Sequence, residues 1–452
     1  MLVMVDPGMD RRSLLGCIER AAPDAVIGVP PAYLLNVLGP RAFRSVRRRW
    51  TAGVPWFPFA VERLAAGAPM TPAADVPEPD PAAVIAIGFT TGSTGVPKGV
   101  VYSHGNYAAQ FAVLQRQFGL QIGDVTLAGY VPHAILCVCL GSTAVVPHFH
   151  PARPASVDPR QVLDLIARYR PALGLGSPAF WDRVGTHCEQ HGQRIAALRL
   201  LLLFGAEVHE DILQRLRAAL PDEAAIHTPY GSTEAQPVTT ISDRELLEPA
   251  LLTRRPELGI CVGHVCEGIE VELVQVSDAP LTADDRQPIR TPATIGEVTV
   301  RGAVVTAGYF AQPEQDRLHK IPTPSGLWHR MGDCGQWDEE GRLWLVGRKA
   351  HRVESAAGVI FPLPIEARAN THPAVRRSAL VGVGPAGQQE PVLVVEWQPA
   401  AMTPGSSTRD MLDALRTWLG SHASTQCVRH LLVHPGLPVD YRHNAKIQRE
   451  AL

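Results

Sequence analysis

Apolar runs of strand length alternate with stretches of helical period along most of this chain. Ala25–Val29, Ala83–Phe89, Leu198–Phe204, Glu223–His227 and Glu297–Arg301 predict strands. Arg11–Ala21, Pro159–Tyr169, Pro178–His191 and Glu210–Ala219 carry apolar residues at helical spacing and predict helices, and a further helical pattern runs from Asn106. This alternation defines an α/β protein. The 40 Pro and 39 Gly predict short, sharply punctuated elements. Ala66–Pro81, rich in Pro and Ala, and the polar stretch Ser277–Thr294 read as connections.

The character changes near Gly347. Leu343–Val346 closes a hairpin, and a compact α+β pattern follows: a helix near Pro364–Asn370, strands at Ser378–Val383 and Val392–Trp397, a helix at Thr408–Leu419 and a strand near Val428–His434. A chain of 452 residues exceeds one typical domain. The expected division is a large multi-sheet domain over residues 1–347 and a small mobile α+β domain over 348–452.

Charge narrows the classes of function. Lys and Arg number 42 against 44 Asp and Glu, and Arg47-Arg48-Arg49 reads as a solvated turn, so nucleic-acid binding is not expected. No apolar run is long enough to span a bilayer, and Met1–Asp6 lacks the pattern of a signal peptide. The eight cysteines are scattered, apart from Cys137 and Cys139, with neither paired metal-ligand spacing nor a disulfide framework. A cytoplasmic location is expected, with most cysteines acting as small core residues.

Candidate chemistry concentrates in Thr90-Thr91-Gly92-Ser93-Thr94-Gly95-Val96-Pro97-Lys98-Gly99. Here four hydroxyls, three glycines and one lysine lie in a loop leaving an apolar strand. Such a loop brings backbone N–H groups, hydroxyls and a cation against a polyphosphate. It is not a Walker A loop, because Lys98 lies between Pro97 and Gly99. Gly174-Leu175-Gly176-Ser177-Pro178 lacks the third glycine of a dinucleotide fingerprint.

Further along, Tyr230-Gly231-Ser232-Thr233-Glu234 offers an aromatic face, two hydroxyls and a carboxylate that suits Mg2+ beside phosphates. Gly205-Ala206-Glu207 is a strand-end turn of the kind where ligands collect in α/β sheets. Asp333 supplies a carboxylate able to accept both ribose hydroxyls, and Lys446 stands alone in a basic turn. Each is ordinary by itself, as a turn or a surface charge. Their joint presence and order are not.

In that order the motifs resemble the adenylate-forming superfamily of acyl-CoA synthetases, adenylation domains and luciferases. The match runs through Thr90–Gly99, Tyr230–Glu234, Gly296-Glu297, Arg301-Gly302, Gly308-Tyr309, Gly332-Asp333, Gly347-Arg348 and Lys446, nearly the whole chain. The resemblance implies ATP and Mg2+ as cofactors. It implies that Thr90, Thr91, Gly92, Ser93, Thr94, Gly95 and Lys98 bind the phosphates. Glu234 ligates Mg2+ and acts with Thr233 in catalysis. Gly205, Ala206, Glu207, Tyr230 and Gly231 frame adenine, Asp333 and Arg348 hold the ribose, and Lys446 bridges the substrate carboxylate and the α-phosphate.

Three departures narrow the reading. After Gly347-Arg348 the usual Lys-Asp pair is Ala350-His351, with the following glycine displaced to Gly358. The approach to Lys446 is Asp440–Ala445 rather than Ser-Gly, and Ile135 stands where many relatives carry histidine. Together with Val5–Met9 these variants are most similar to the β-lactone synthetases of bacterial long-chain olefin biosynthesis. That branch implies activation of a 2-alkyl-3-hydroxy fatty acid and closure by its own 3-hydroxyl, with Ala134–Leu140 and Pro178–Trp181 lining an apolar acyl pocket. It also implies neighbouring enzymes of olefin synthesis as partners. The alternatives are an acyl-CoA ligase and an inactive truncated paralogue that binds partners. Relatives carry substantial sequence before the segment equivalent to Val3–Pro7, so the large domain is expected to be incomplete at its start.

Overall fold

The computed structural model describes residues 1–6, 8–51, 62–63, 78–90, 97–139, 141–401, 407–439 and 447–452. The chain divides into two compact units, Met1–Ala109 with Thr306–Arg317, and Gln110–Val305 with Leu318–Leu452.

In the first unit, Leu2–Val5 runs parallel to Val84–Thr90, which pairs antiparallel with Lys98–Ser103. A second, parallel sheet joins Ala25–Gly28, Arg48–Thr51 and Glu62–Arg63. Helix Arg11–Ala21 starts where the sequence places it because the Asp10 carboxylate accepts the N–H groups of Arg12 and Ser13, and it stops at left-handed Ala22. Its Cys17 and Ala21 pack with Met9, Ile87 and Phe89.

The second unit is built on a parallel sheet in the order Ala225–His227, Leu200–Leu203, Leu173–Gly176, Val125–Gly129 and Thr143–Val145. The four consecutive buried leucines of Leu200–Leu203 are what a strand covered on both faces requires. Helices Pro159–Tyr169, Pro178–His191 and Glu210–Ala219 contribute to the core beside it. Asp158 and Ser177 cap the first two, each followed by a proline that needs no N–H partner. Trp181 lies so close over the sheet that a Cβ on Gly174 or Gly176 would come within 2.7 or 2.8 Å of its ring. That packing accounts for the glycine pair. It also corrects one expectation: Phe180 and Trp181 do not line an acyl pocket but are core residues with 0% exposure.

An antiparallel sheet follows, in the order Tyr230–Ser232, Ala235–Thr240, Ile260–Val265, Leu343–Arg348, Gly326–Trp337, Gly296–Arg301 and Glu270–Val274, with Lys320–Thr323 also paired to Gly326–Trp337. The C-terminal part forms a sheet of Val375–Val383, Glu390–Trp397 and His430–Val433. Helices Pro362–Asn370 and Thr408–Gly420 pack with it around Ile365, Leu380, Leu393, Trp397, Leu415 and Leu419. The first of these helices begins two residues before the expected Pro364, because prolines in a first turn remove no helical hydrogen bond.

Inside the antiparallel sheet, Arg330 and Glu297 form an ion pair at 2.6 Å with side chains 1% and 0% exposed. Arg330 also donates to the carbonyls of Ala279, Leu318 and Ser277. Lys349 adds a second cation 3.2 Å from Glu297 and donates to Ser277. The polar stretch after Val274 is thus tied to the sheet through its own carbonyl groups. Removing one partner of such a pair leaves a buried charge uncompensated. Arg330→Met is therefore expected to lower the unfolding free energy by about 3–5 kcal/mol, read as the shift in the urea midpoint at unchanged slope.

Candidate active site

In the first unit the described ends of the glycine-rich segment face each other across a β-ladder, Thr90 opposite Lys98. Thr91, Gly92, Ser93, Thr94 and Gly95 lie outside the described residues. The expectation that Lys98 and Gly99 belong to the loop is corrected: both open the returning strand Lys98–Ser103. Pairing with Val84–Thr90 wins there because Gly99 fits beneath Phe89. Three contacts fix the return. Arg20 donates to the Pro97 carbonyl at 3.1 Å, Gly99 N–H donates to Gln312 at 3.1 Å, and Gln312 donates back to Pro97. The Lys98 ammonium lies 5.5 Å from the centre of the Tyr309 ring, a cation–π distance that holds the stem of the lysine.

In the second unit the structure brings Tyr230, Asp333 and Arg348 together from three strands. Asp333 and Arg348 are register partners, and the Arg348 Nε lies 2.9 Å from Asp333 Oδ1. The Tyr230 hydroxyl donates to the other carboxylate oxygen at 2.8 Å. Arg348 is aimed by the residue before it: Gly347 has φ 143°, and a Cβ there would sit 2.8 Å from Pro362. The Arg348 side chain stays 42% exposed and that of Asp333 11%, so the pair opens on one side to solvent. The Asp333 charge raises the Arg348 pKa above its ordinary value. Burial, then the Asp333 charge, push the Tyr230 phenol well above the usual tyrosine range. Nothing in the sequence signals this hydrogen bond, which joins residues far apart in the chain.

Thr233 and Glu234 form the turn between Tyr230–Ser232 and Ala235–Thr240, and the Glu234 N–H donates to Ser232 Oγ at 3.3 Å. The donor set is all oxygen, which suits Mg2+. Among the described residues no group of three or more His, Cys, Asp or Glu could hold a metal alone. A cation at Glu234 would therefore complete its shell with phosphate oxygens and water, as Mg2+ does.

Gly205, Ala206 and Glu207 follow Leu200–Leu203, with Gly205 at φ 95°. That strand is parallel to Ala225–His227, so this turn and the segment leading to Tyr230 leave the same carboxyl edge of the sheet. At that edge His133, from helix Val131–Cys139, packs edge-on against Phe204 and Tyr130 with ring centroids 4.4 and 5.0 Å away. Burial lowers its pKa to about 4, so the imidazole is neutral at neutral pH. On the same helix Ile135 and Val138 expose apolar surface. An isolated histidine such as His133 carries no motif in the sequence.

Lys446 lies outside the described residues. Val439 and Ile447 form a β-bridge, and Arg449 Nη2 donates to both carboxylate oxygens of Glu366 at 2.7 and 2.8 Å. His351, replacing the usual aspartate, lies 3.4 Å from Arg449 and 3.5 Å from Glu450.

The AMP-binding enzyme family matches residues 1–310. The chain belongs to that family and is an adenylate-forming ligase that releases AMP. Along its whole length it is similar to the olefin beta-lactone synthetase of Xanthomonas campestris, 40% identical over 462 residues covering 100% of this chain and 81% of the relative. The enzyme of that name from Stenotrophomonas maltophilia is 39% identical over the same shares. A long-chain-fatty-acid–CoA ligase of Thermus thermophilus is 26% identical over 74% of this chain and 60% of its own length. Among solved structures, the amide bond synthetase McbA of Marinactinospora thermotolerans superposes with TM-score 0.76 at 21% identity, covering 98% of this chain and 82% of that one. The Bacillus subtilis O-succinylbenzoate CoA synthetase MenE, in complex with ATP and magnesium ion, gives TM-score 0.70 at 19% identity, covering 100% and 83%. These two likenesses show a shared fold. Among the described residues no helix is long and apolar enough to cross a membrane.

Tyr230 carries a testable consequence. A phenol whose folded pKa is raised contributes stability that is complete below the ordinary tyrosine pKa of about 10 and is lost as pH rises through the raised value. Tyrosinate absorbance during an alkaline titration is expected to contain a late-ionising fraction that shrinks in Tyr230→Phe. That variant is expected to lose about 1 kcal/mol of stability at neutral pH, from the missing hydrogen bond.

Proposed function

We propose that this enzyme activates a 2-alkyl-3-hydroxy fatty acid with ATP and closes the acyl adenylate to a β-lactone, releasing pyrophosphate and AMP. The observation that carries the reading is the 40% identity to an olefin beta-lactone synthetase over the entire chain. The replacement of Lys-Asp by Ala350-His351, in the segment that serves CoA in related ligases, supports it. The exposed apolar side chains of Ile135 and Val138 are suited to an alkyl substituent.

The roles follow the chemistry of the residues. Thr90–Gly95 and Lys98 grip the ATP phosphates. Glu234 with Thr233 holds Mg2+, which when bound offsets charge between the phosphates and the incoming carboxylate. Gly205–Glu207, Tyr230 and Gly231 frame adenine. Asp333, with one oxygen on Arg348 and the other on Tyr230, keeps lone pairs for the two ribose hydroxyls. A substrate carboxylate oxygen attacks the α-phosphorus and pyrophosphate leaves. Lys446, carried on a module of residues 348–452, stabilises the charge that gathers there. The 3-hydroxyl oxygen then attacks the acyl carbon, and AMP departs with the electrons of the broken C–O bond. Because nucleophile and electrophile share one molecule, effective molarity replaces a second-substrate channel. We place the reaction in the cytoplasm, between enzymes that supply the 3-hydroxy acid and enzymes that consume the lactone.

Incubation with ATP, Mg2+ and a synthetic 2-alkyl-3-hydroxy acid is expected to give lactone and AMP without CoA. A CoA-dependent thioester and no lactone would establish an acyl-CoA ligase, and a folded protein releasing no AMP with any acid would establish a binding paralogue. Lys446→Ala is expected to cut AMP formation by about 100-fold or more with ATP binding retained, measured by pyrophosphate exchange and calorimetry. Asp333→Ala is expected to raise the KM for ATP at least as strongly as it lowers kcat.

A further inference from the structure

Ring closure poses a problem that adenylation does not. As the 3-hydroxyl oxygen bonds to the acyl carbon it becomes positively charged unless its proton leaves. A neutral lone pair placed beside that hydroxyl removes the charge as it forms and also holds the oxygen in the attacking conformer.

The carboxyl edge of the parallel sheet offers one. His133 stands in the turn-to-helix segment after Val125–Gly129, and its ring packs on Phe204, the residue that leads into Gly205–Glu207. It is therefore one ring contact from the turn assigned to adenine and on the helix whose Ile135 and Val138 face outward. Its ring nitrogens make no hydrogen bond to another described residue, and neither is both sealed from solvent and unpartnered. Another histidine at this edge, His227, is engaged differently: its Nδ1 lies 3.5 Å from Thr240 Oγ1 and its ring packs on Phe118. The aromatic walls of Tyr130 and Phe204 position the His133 ring without consuming its nitrogens. Burial keeps it unprotonated at neutral pH, so the lone pair is present when the substrate arrives.

We propose that His133 accepts the 3-hydroxyl hydrogen of the bound acyl adenylate and takes its proton as the lactone closes. The inference rests on the β-lactone reading. In the step, the hydroxyl oxygen forms the new C–O bond and the acyl–phosphate C–O bond breaks with its electrons going to AMP. The O–H electron pair stays on the ring oxygen, and the proton sits on the imidazole until it passes to AMP or water. His133 is then a catalytic residue for the second half-reaction and a determinant of preference for 3-hydroxy acids.

The test uses the full chain with ATP, Mg2+ and a 2-alkyl-3-hydroxy acid, measuring lactone formed per AMP released. This ratio does not depend on the fraction of protein folded. In His133→Phe and in His133→Asn the ratio is expected to fall by about 100-fold, with the adenylate lost to hydrolysis. The preference for the 3-hydroxy acid over its 3-deoxy analogue in pyrophosphate exchange is expected to narrow. A parent-like ratio in either variant overturns the assignment and leaves AMP phosphate as the proton acceptor. Parent enzyme that releases AMP without forming lactone overturns the β-lactone reading, and the role of His133 with it.

Discussion

Glu297 is a carboxylate without contact with water, and much of the second unit is arranged so that it can be there. Two cations, Arg330 and Lys349, offset its charge. Arg330 spends its remaining donors on the carbonyls of the polar stretch and on Leu318. Lys349 follows Arg348 directly, so the anchor that compensates Glu297 also holds the end of the strand that presents Arg348 to Asp333. Asp333 in turn orients Tyr230, from the far edge of the same sheet. The Glu297 core pair is thus connected, through Lys349, Arg348 and Asp333, to Tyr230. A low-dielectric interior makes such an arrangement rigid, because each charge is costly without its neighbour.

Much of this could be read from the residues. Helices Arg11–Ala21, Pro159–Tyr169, Pro178–His191 and Glu210–Ala219 run between the limits the sequence indicates, and three of them are marked by Asp10, Asp158 or Ser177 at the cap. Strands were legible where the run was wholly apolar, as at Leu200–Leu203. They were less so where tertiary pairing overrides local chemistry: Lys98-Gly99 looks like loop and lies in a ladder. Trp181 was expected in the wall of an apolar acyl pocket, yet Gly174 and Gly176 are there so that its ring can be buried.

Within the candidate site, Asp333 and Arg348 were legible as a pair from the order of the motifs, and the structure brings them together. Their second partners were not. The Tyr230 hydroxyl on Asp333, Gln312 on the Gly99 N–H and the aromatic setting of His133 depend on which strands become neighbours. No local pattern encodes that. The exposed side of Arg348 shows where solvent still screens the ion pair, so its role there is orientation of a carboxylate more than energy of attraction.

Val439 pairs with Ile447 in a β-bridge, and Arg449 two residues on holds Glu366 of helix Pro362–Asn370. A chain segment without such contacts explores a volume set by its own entropy. Ile447 and Arg449 are therefore coupled to that helix, and any motion of the helix is felt at once at the bridge to Val439.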